Sequence, residues 1–210
     1  MTGRQVVALA RPLSAATRWQ PAVASWVIVA VLLVLKDETL DDPGTALLLL
    51  RAAGVVAVLG AAFVLDDDAA VTLEASPSTL VWRRMLRLVT AVALVSVPWS
   101  AAVWRVGTHG TDLPVADLTL ELAALLALAM ATAAAVTRWS GSTDPGVGTV
   151  PVVFAVVLGA FQLPPKLALY GAPGPGWDGA HARWWVLLAV ALLFLSWCNR
   201  DPAAGRVLRV

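Results

Sequence analysis

The sequence predicts an all-α integral membrane protein, and three observations indicate this fold class. Hydrophobic residues make up 59% of the 210 residues and charged residues only 14%. A soluble domain is about half apolar and about a quarter charged, so this chain cannot cover a soluble globule with polar side chains. The apolar residues form continuous runs, which favours helices over a β-barrel. A single cysteine, Cys198, excludes a disulfide-stabilised scaffold, and the net charge of +1 argues against a nucleic-acid partner.

Six apolar runs are predicted to cross the bilayer, because a spanning helix needs about 20 mostly apolar residues. The connections between them carry Gly, Pro, Asp and Ser, which favour turns over continuing helix. No stretch is typical of a separate soluble domain, so residues 1–210 are predicted to form a single six-span transmembrane domain. The spans lie near 19–35, 45–65, 86–104, 115–136, 147–163 and 180–198, and the first and fifth are short.

The distribution of Lys and Arg predicts the orientation of the chain. With the N-terminus in the cytoplasm, ten of these residues lie on the cytoplasmic side and four on the outer side, with Arg51 inside the second span. Cytoplasmic loops carry the excess of basic residues in membrane proteins, so both termini are predicted to be cytoplasmic. The abundance of Arg, Ala and Val is typical of a GC-rich bacterial genome and suggests a bacterial cytoplasmic (inner) membrane.

Residues 1–18 are predicted to form an amphipathic helix in the headgroup layer. Arg4, Arg11 and Arg18 are spaced by seven and fall on one stripe of a helix, while apolar residues follow a helical rhythm on another face. Such a helix would turn its arginines toward anionic lipid. The alternative is a basic orientation signal with no fixed structure.

Two charged residues inside predicted spans are candidates for a functional pair. Arg51 is the seventh residue of the second span and Glu121 the seventh of the fourth, and both spans enter from the outer side. At 1.5 Å per residue the two side chains lie at a similar depth of about 9–10 Å. Because charges are rarely left alone in lipid, we expect them to pair. The alternative is that Arg51 extends outward and Glu121 faces the outer loop.

Motifs for catalysis and for metal binding are absent from the sequence. It has no Walker-type phosphate loop, no HExxH motif and no Cys/His cluster with metal-ligand spacing. Ser140 and His181 are placed at opposite sides of the bilayer, which argues against an intramembrane serine protease. The acidic run 66–68 could hold Mg²⁺, but the second acidic motif that such sites need is missing. We therefore predict no catalytic residue and no metal in this chain.

The most informative segment joins the second and third spans. It begins with the acidic run, continues through Val71-Thr72-Leu73-Glu74 and Ser76-Pro77, and ends in a basic amphipathic run. Met85 and neighbouring apolar residues fall on one face, and the arginines fall on another. A short helix along the cytoplasmic surface is predicted there. Such a helix would offer a partner both charge and apolar contact.

With these motifs the chain resembles the permease subunits of ABC-2-type ATP-binding-cassette exporters. The resemblance covers the whole chain in topology and about a dozen residues in motif. It implies that the 66–87 loop docks on a separate ATPase subunit. The predicted contact residues are Glu74, Ser76, Pro77, Trp82, Arg83, Arg84 and Arg87. This partner, rather than this chain, would bind ATP and Mg²⁺. It also implies an outer re-entrant region at 164–180 and a homodimer or heterodimer with a related permease. Arg51 and Glu121 would then be gate or interface residues.

Two other functions stay open from the sequence. The chain could be an accessory or scaffold subunit of a membrane complex, since its many Ala and Gly residues permit close helix packing. It could also be a membrane-embedded enzyme that modifies lipid, which would need a cluster of polar residues. The apolar spans favour a lipid-like or amphipathic cargo for the exporter.

Overall fold

The computed structural model describes residues 18–66, 80–142 and 144–200, and this part of the chain is all-helical. The predicted interfacial helix, except Arg18, and the predicted contact residues Glu74, Ser76 and Pro77 lie outside the described residues. Six α-helices are present in the described part. They are α1 (Gln20–Leu35), α2 (Pro43–Ala62), α3 (Leu80–Thr108), α4 (Val115–Ser140), α5 (Pro145–Phe161) and α6 (Trp177–Cys198). Short 3₁₀ helices follow α1 (Asp37–Thr39) and α2 (Phe63–Leu65).

The ends of several helices carry residues that favour the start or the end of a helix. Proline occupies the first turn of α1, α2 and α5, where a missing N–H costs nothing. Asp42 caps α2 by accepting a hydrogen bond from the Thr45 N–H at 2.7 Å, and hydrogen bonds from Thr45 lower the pKa of Asp42 below its ordinary value. Gly141 ends α4 with φ of 65°, a conformation that glycine adopts without strain.

Consecutive helices run in opposite directions, and contacts between their ends define the two ends of the bundle. At one end, Arg105 near the end of α3 pairs with Asp37 after α1. At the other, Arg18 before α1 contacts Asp66 after α2 and Asp144 before α5. We call these the Asp37 end and the Asp66 end. The α1–α2, α3–α4 and α5–α6 connections gather at the Asp37 end.

The interior of the bundle is formed mainly by α2 and α4. In each of these helices, 67% of the most apolar 18-residue window is buried, against 22% in α6. α4 packs extensively against α6, and α2 packs against α1 and α3. The exposed apolar residues of α6 include Trp185, Val186 and Leu193. The core is thus lined by α2 and α4, while α6 presents a broad apolar face outward.

Within the described ranges, four helices are long and apolar enough to cross a membrane: α2, α4, α6 and the Met85–Thr108 part of α3. They make the chain a multi-pass membrane protein. α1 and α5 are apolar but contain 16 and 17 residues. At 1.5 Å per residue they are about 24–26 Å long, slightly less than the ~30 Å hydrocarbon layer.

Helix α3 is continuous through a proline because another helix supplies the missing hydrogen bond. Pro98 has no N–H to donate to the Leu94 carbonyl one turn earlier. Trp26 of α1 donates its indole N–H to that carbonyl at 2.9 Å. The bond satisfies the carbonyl and fixes α1 against α3.

The structure differs from the sequence prediction at the start of α3. Residues 80–87, predicted to belong to a separate surface helix, are the first turns of the same helix that forms the third span. The side chains on the two faces also differ in burial: Arg87 is 7% exposed, whereas Met85 is 50% exposed. The sequence pattern could not show this, because a tertiary contact rather than amphipathicity decides which side of a helix is buried in a membrane protein.

Candidate functional site: a buried ion-pair cluster

The structure brings Arg51 of α2 and Glu121 of α4 together in a bidentate ion pair. Arg51 Nε lies 2.8 Å from Glu121 Oε2, and Arg51 Nη2 lies 2.7 Å from Oε1. The side chains expose only 8% and 3% of their surface. Two parallel N–H···O bonds are the strongest geometry available to these groups, and they offset the cost of burying both charges. The similar depth of the two residues in their predicted spans indicates the same pairing.

His181 of α6 is the third polar group of the cluster. Its Nδ1 lies 2.9 Å from the Trp177 carbonyl oxygen, which can only accept, so Nδ1 carries a hydrogen. Its Nε2 lies 3.2 Å from Glu121 Oε1. That distance is within ion-pair range, but Nε2 makes no hydrogen bond to the described residues, because the ring does not point it at the oxygen. The contact is thus close and poorly aligned.

Two aromatic rings cover the guanidinium of Arg51. The Tyr170 ring centroid lies 5.0 Å from Arg51 Cζ and the Trp177 centroid lies 5.7 Å away, both within cation–π range. Trp177 is held in place because its indole N–H donates to Asp117 Oδ2 at 2.6 Å. The rings exclude water from the ion pair and strengthen it.

Tyr170 reaches the cluster from the α5–α6 connection. Its hydroxyl is buried and makes no hydrogen bond to a described residue. Burial and the Glu121 charge raise the pKa of Tyr170, and the Arg51 charge acts in the opposite direction. The phenol therefore stays protonated at neutral pH and carries no charge into the cluster.

The free space around the pair is small. A cavity of about 10 Å³ adjoins it, the size of a single water molecule. Its lining residues are Leu50, Arg51, Gly54, Trp99, Leu118, Glu121, Leu122, Leu125 and Tyr170. Toward the Asp37 end a wider groove of about 470 Å³ opens, lined in part by Asp112, Asp117 and Asp178. The pair thus adjoins space for a single water molecule, whereas the groove is open and much larger.

Glu121 is the centre of the cluster, and each of its oxygens accepts a hydrogen bond from Arg51. Among the described residues, no group of three or more His, Cys, Asp or Glu side chains is placed to hold a metal ion. The cluster can instead hold three helices and one connection in a fixed relation.

A second cluster lies at the Asp66 end. Asp66, part of the acidic run considered for Mg²⁺, accepts a hydrogen bond from the Gly146 N–H at 2.8 Å and so caps the start of α5. Arg18 lies 3.7 Å from Asp66 and 3.0 Å from Asp144. Nearby, Arg138 donates to carbonyls at the end of α6, including that of Cys198 at 3.1 Å.

The predicted ATPase-contact residues are described in part. Trp82, Arg83 and Arg84 belong to the first turn of α3, and their side chains are not described. Arg87 is buried, so its side chain is not available to a docking partner in this arrangement. The described part of the chain does not bring these residues together with the Arg51–Glu121 pair.

Sequence reasoning missed His181, Tyr170 and Trp177. The sixth span was predicted to begin at residue 180, which put His181 at the surface, but α6 begins at Trp177 and carries His181 almost one turn deeper. The sequence does contain a signal that could have placed His181 in the cluster. Three spans enter the membrane from the same side, and each carries a polar residue within its first three turns. Tyr170 lies in an irregular connection, where periodicity gives no placement.

Comparisons with known proteins find no match for this chain: no family model, no curated protein and no solved structure is significantly similar to it. The resemblance to ABC-2-type permeases therefore stays a prediction from the sequence. The conclusions about function depend on the geometry described above.

Proposed function

We propose that the chain is the membrane-spanning permease subunit of an ATP-driven exporter that works with a separate ATPase subunit. The observation that carries this proposal is the α5–α6 connection. Its residues 162–176 contain no helix, yet Leu169 and Tyr170 pack against the core, and Arg51 binds the Gly171 carbonyl. Irregular backbone at membrane depth is tolerated only where protein groups satisfy it. The resemblance implies an outer re-entrant region of broken helical hairpins at 164–180. The packing of this segment against the core supports a re-entrant region here, but residues 162–176 contain no helix and residues 177–180 are the first turn of α6.

The proposal takes all six helices as spans with both termini in the cytoplasm. The alternating direction of the helices supports it, since α1 and α5 then cross the same layer as their longer neighbours. Their shortness is accommodated by local thinning of the bilayer or by the flanking residues. The Asp66 end is then cytoplasmic, in agreement with the excess of basic residues there.

Coupling to the ATPase would run through the start of α3. Because residues 80–108 form one helix, a displacement at its first turn is carried along the whole length of the span. Nucleotide binding by the partner would bias this helix between two positions. The contact surface would consist of Arg83, Arg84 and the preceding residues, with Arg87 turned into the bundle. The exposed apolar face of α6 would meet lipid and a second permease subunit.

The test is co-purification of an ATPase. The chain is tagged, extracted in mild detergent and isolated, and ATPase activity of the eluate is measured. We expect a bound ATPase that is lost in Arg83→Glu/Arg84→Glu. The matched control, Lys36→Glu/Lys166→Glu, reverses two exposed charges at the opposite end and should retain the partner. Absence of an ATPase in several detergents, with the chain intact, would contradict the proposal.

A second candidate is an accessory or scaffold subunit of a membrane complex. The observation that favours it is the closed geometry of the Arg51–Glu121 pair, which suits a structural role. A lipid-modifying enzyme has less support, although the chain does contain a polar cluster, because both Glu121 oxygens are engaged and the adjoining cavity is about 10 Å³. Co-purification with a membrane complex that lacks an ATPase would favour the scaffold.

A further inference from the structure

Residues 162–176, between α5 and α6, are attached to the bundle by their backbone carbonyls. Arg183 of α6 donates to the carbonyls of Lys166 at 2.7 Å and Ala168 at 2.6 Å. Trp184 of α6 donates to the Leu169 carbonyl at 2.9 Å. Side chains thus take the place of the hydrogen bonds that a helix or a sheet would supply. These three bonds hold the first half of the segment to α6, the helix that follows it.

The attachment to the rest of the bundle is of a different kind. Arg51 of α2 donates from Nη1 to the Gly171 carbonyl at 2.9 Å, while its Nε and Nη2 are engaged by Glu121. The guanidinium is planar, so fixing two of its nitrogens on a carboxylate also fixes the direction of the third. Glu121 therefore orients the donor that reaches Gly171.

The segment has the features of a part that can move. Its C-terminal half is exposed and contains Gly174 and Gly176 at φ of 141° and 92°, where glycine adopts the backbone without strain. Its internal backbone hydrogen bonds are few, such as Leu167 N–H to the Pro164 carbonyl at 2.8 Å. The buried Tyr170 hydroxyl has no hydrogen-bond partner among the described residues, so opening would let it reach water.

We propose that residues 162–176 form a strap that opens and closes over the buried Arg51–Glu121 pair, and that Glu121 holds the strap closed by orienting Arg51 toward the Gly171 carbonyl. Glu121 is a positioning residue in this device. Opening joins the 10 Å³ cavity beside the pair to the groove at the Asp37 end. The strap would remain attached to α6 through Arg183 and Trp184 while its contact with α2 breaks. This inference is independent of the permease proposal.

The test is the accessibility of a cysteine under the strap in the full-length protein in lipid nanodiscs. Cys198 is the chain's single cysteine and is replaced by serine. The reporter is Leu118→Cys, a buried residue of α4 that lines the cavity beside the pair, and a second reporter, Val58→Cys, lies in the fully buried core away from the strap. The rate of labelling by a water-soluble maleimide tracks the open fraction when closing is fast.

We expect Glu121→Gln to raise the labelling rate of Leu118→Cys by about tenfold or more, since a hydrogen bond to a charged group is lost. Val58→Cys should stay protected, which separates opening of the strap from unfolding. Arg51→Lys is the second variant: it keeps a cation beside Glu121 but lacks the fork, and it should also raise the Leu118→Cys rate.

The matched control is Asp144→Asn, which removes a carboxylate from the ion pair at the Asp66 end and should change the Leu118→Cys rate by less than about twofold. Two results would overturn the strap. One is an unchanged Leu118→Cys rate in both Glu121→Gln and Arg51→Lys. The other is an equal rise at Leu118→Cys and Val58→Cys in both variants, which would make the pair a determinant of global folding alone.

Discussion

The two ends of the bundle are held by different physical means. At the Asp37 end, Arg51 and Glu121 form a bidentate pair whose side chains are 8% and 3% exposed. At the Asp66 end, the Arg18 and Asp144 side chains are each 42% exposed, and Arg18 Nη1 lies 3.0 Å from Asp144 Oδ1. The buried Arg51–Glu121 pair loses its hydration and gains contacts with protein groups, whereas the exposed Arg18–Asp144 pair stays largely hydrated. The two ion pairs therefore contribute different amounts to the free energy of unfolding.

Close packing of small residues adds to the contacts of the buried Asp66 carboxylate at the Asp66 end. Gly60 of α2 faces α1 so closely that a Cβ at that position would lie 2.6 Å from the Ser25 Cβ and 3.0 Å from the Pro21 carbonyl. Gly146 of α5 is similarly tight against Phe63. Membrane helices associate through such contacts because lipid gives no hydrophobic drive toward pairing.

The largest expected effect comes from breaking the buried pair on one side. Arg51→Met or Glu121→Met leaves one charge buried without its partner, which should lower the free energy of unfolding by about 3–5 kcal/mol. Unfolding in mixed micelles titrated with a denaturing detergent measures it. The charge swap Arg51→Glu/Glu121→Arg should recover part of the loss, and failure to recover any would count against the pair.

An intermediate effect is expected from overpacking at the Asp66 end. Gly60→Ala introduces a methyl group against Ser25 and should cost about 1–3 kcal/mol in the same measurement. Ser25→Gly/Gly60→Ala removes most of the clash and should recover part of the stability. Gly159→Ala, where nothing lies within 4 Å of the added carbon, serves as the control. A Gly60→Ala variant as stable as the control would refute the close contact.

The smallest effect is expected from the exposed pair. Asp144→Asn should lower the free energy of unfolding by no more than about 1 kcal/mol, since exposed ion pairs contribute little and are screened by salt. The difference from the parent should shrink between low and high salt. A loss as large as that of Glu121→Met would show that the two ends are not distinct in the way proposed.

The positions of the helices could be predicted from the sequence more accurately than the contacts that surround them. The six apolar helices and the Arg51–Glu121 contact follow from hydropathy and depth, because both depend on position along the chain. The burial of Arg87 and the exposure of Met85 do not follow, since they depend on which neighbour each face of α3 meets. Tyr170 reaches the pair through an irregular connection, whose path is set by side-chain donors on α2 and α6.

The measurement that tests the central claim most directly is a double-mutant cycle across the pair. Arg51→Met, Glu121→Met and the double variant are compared with the parent by their free energies of unfolding in mixed micelles. If the pair is the polar centre of the Asp37 end, the double variant will be more stable than the sum of the single losses predicts, with a coupling of about 2–3 kcal/mol. Additive losses within about 0.5 kcal/mol would contradict the account.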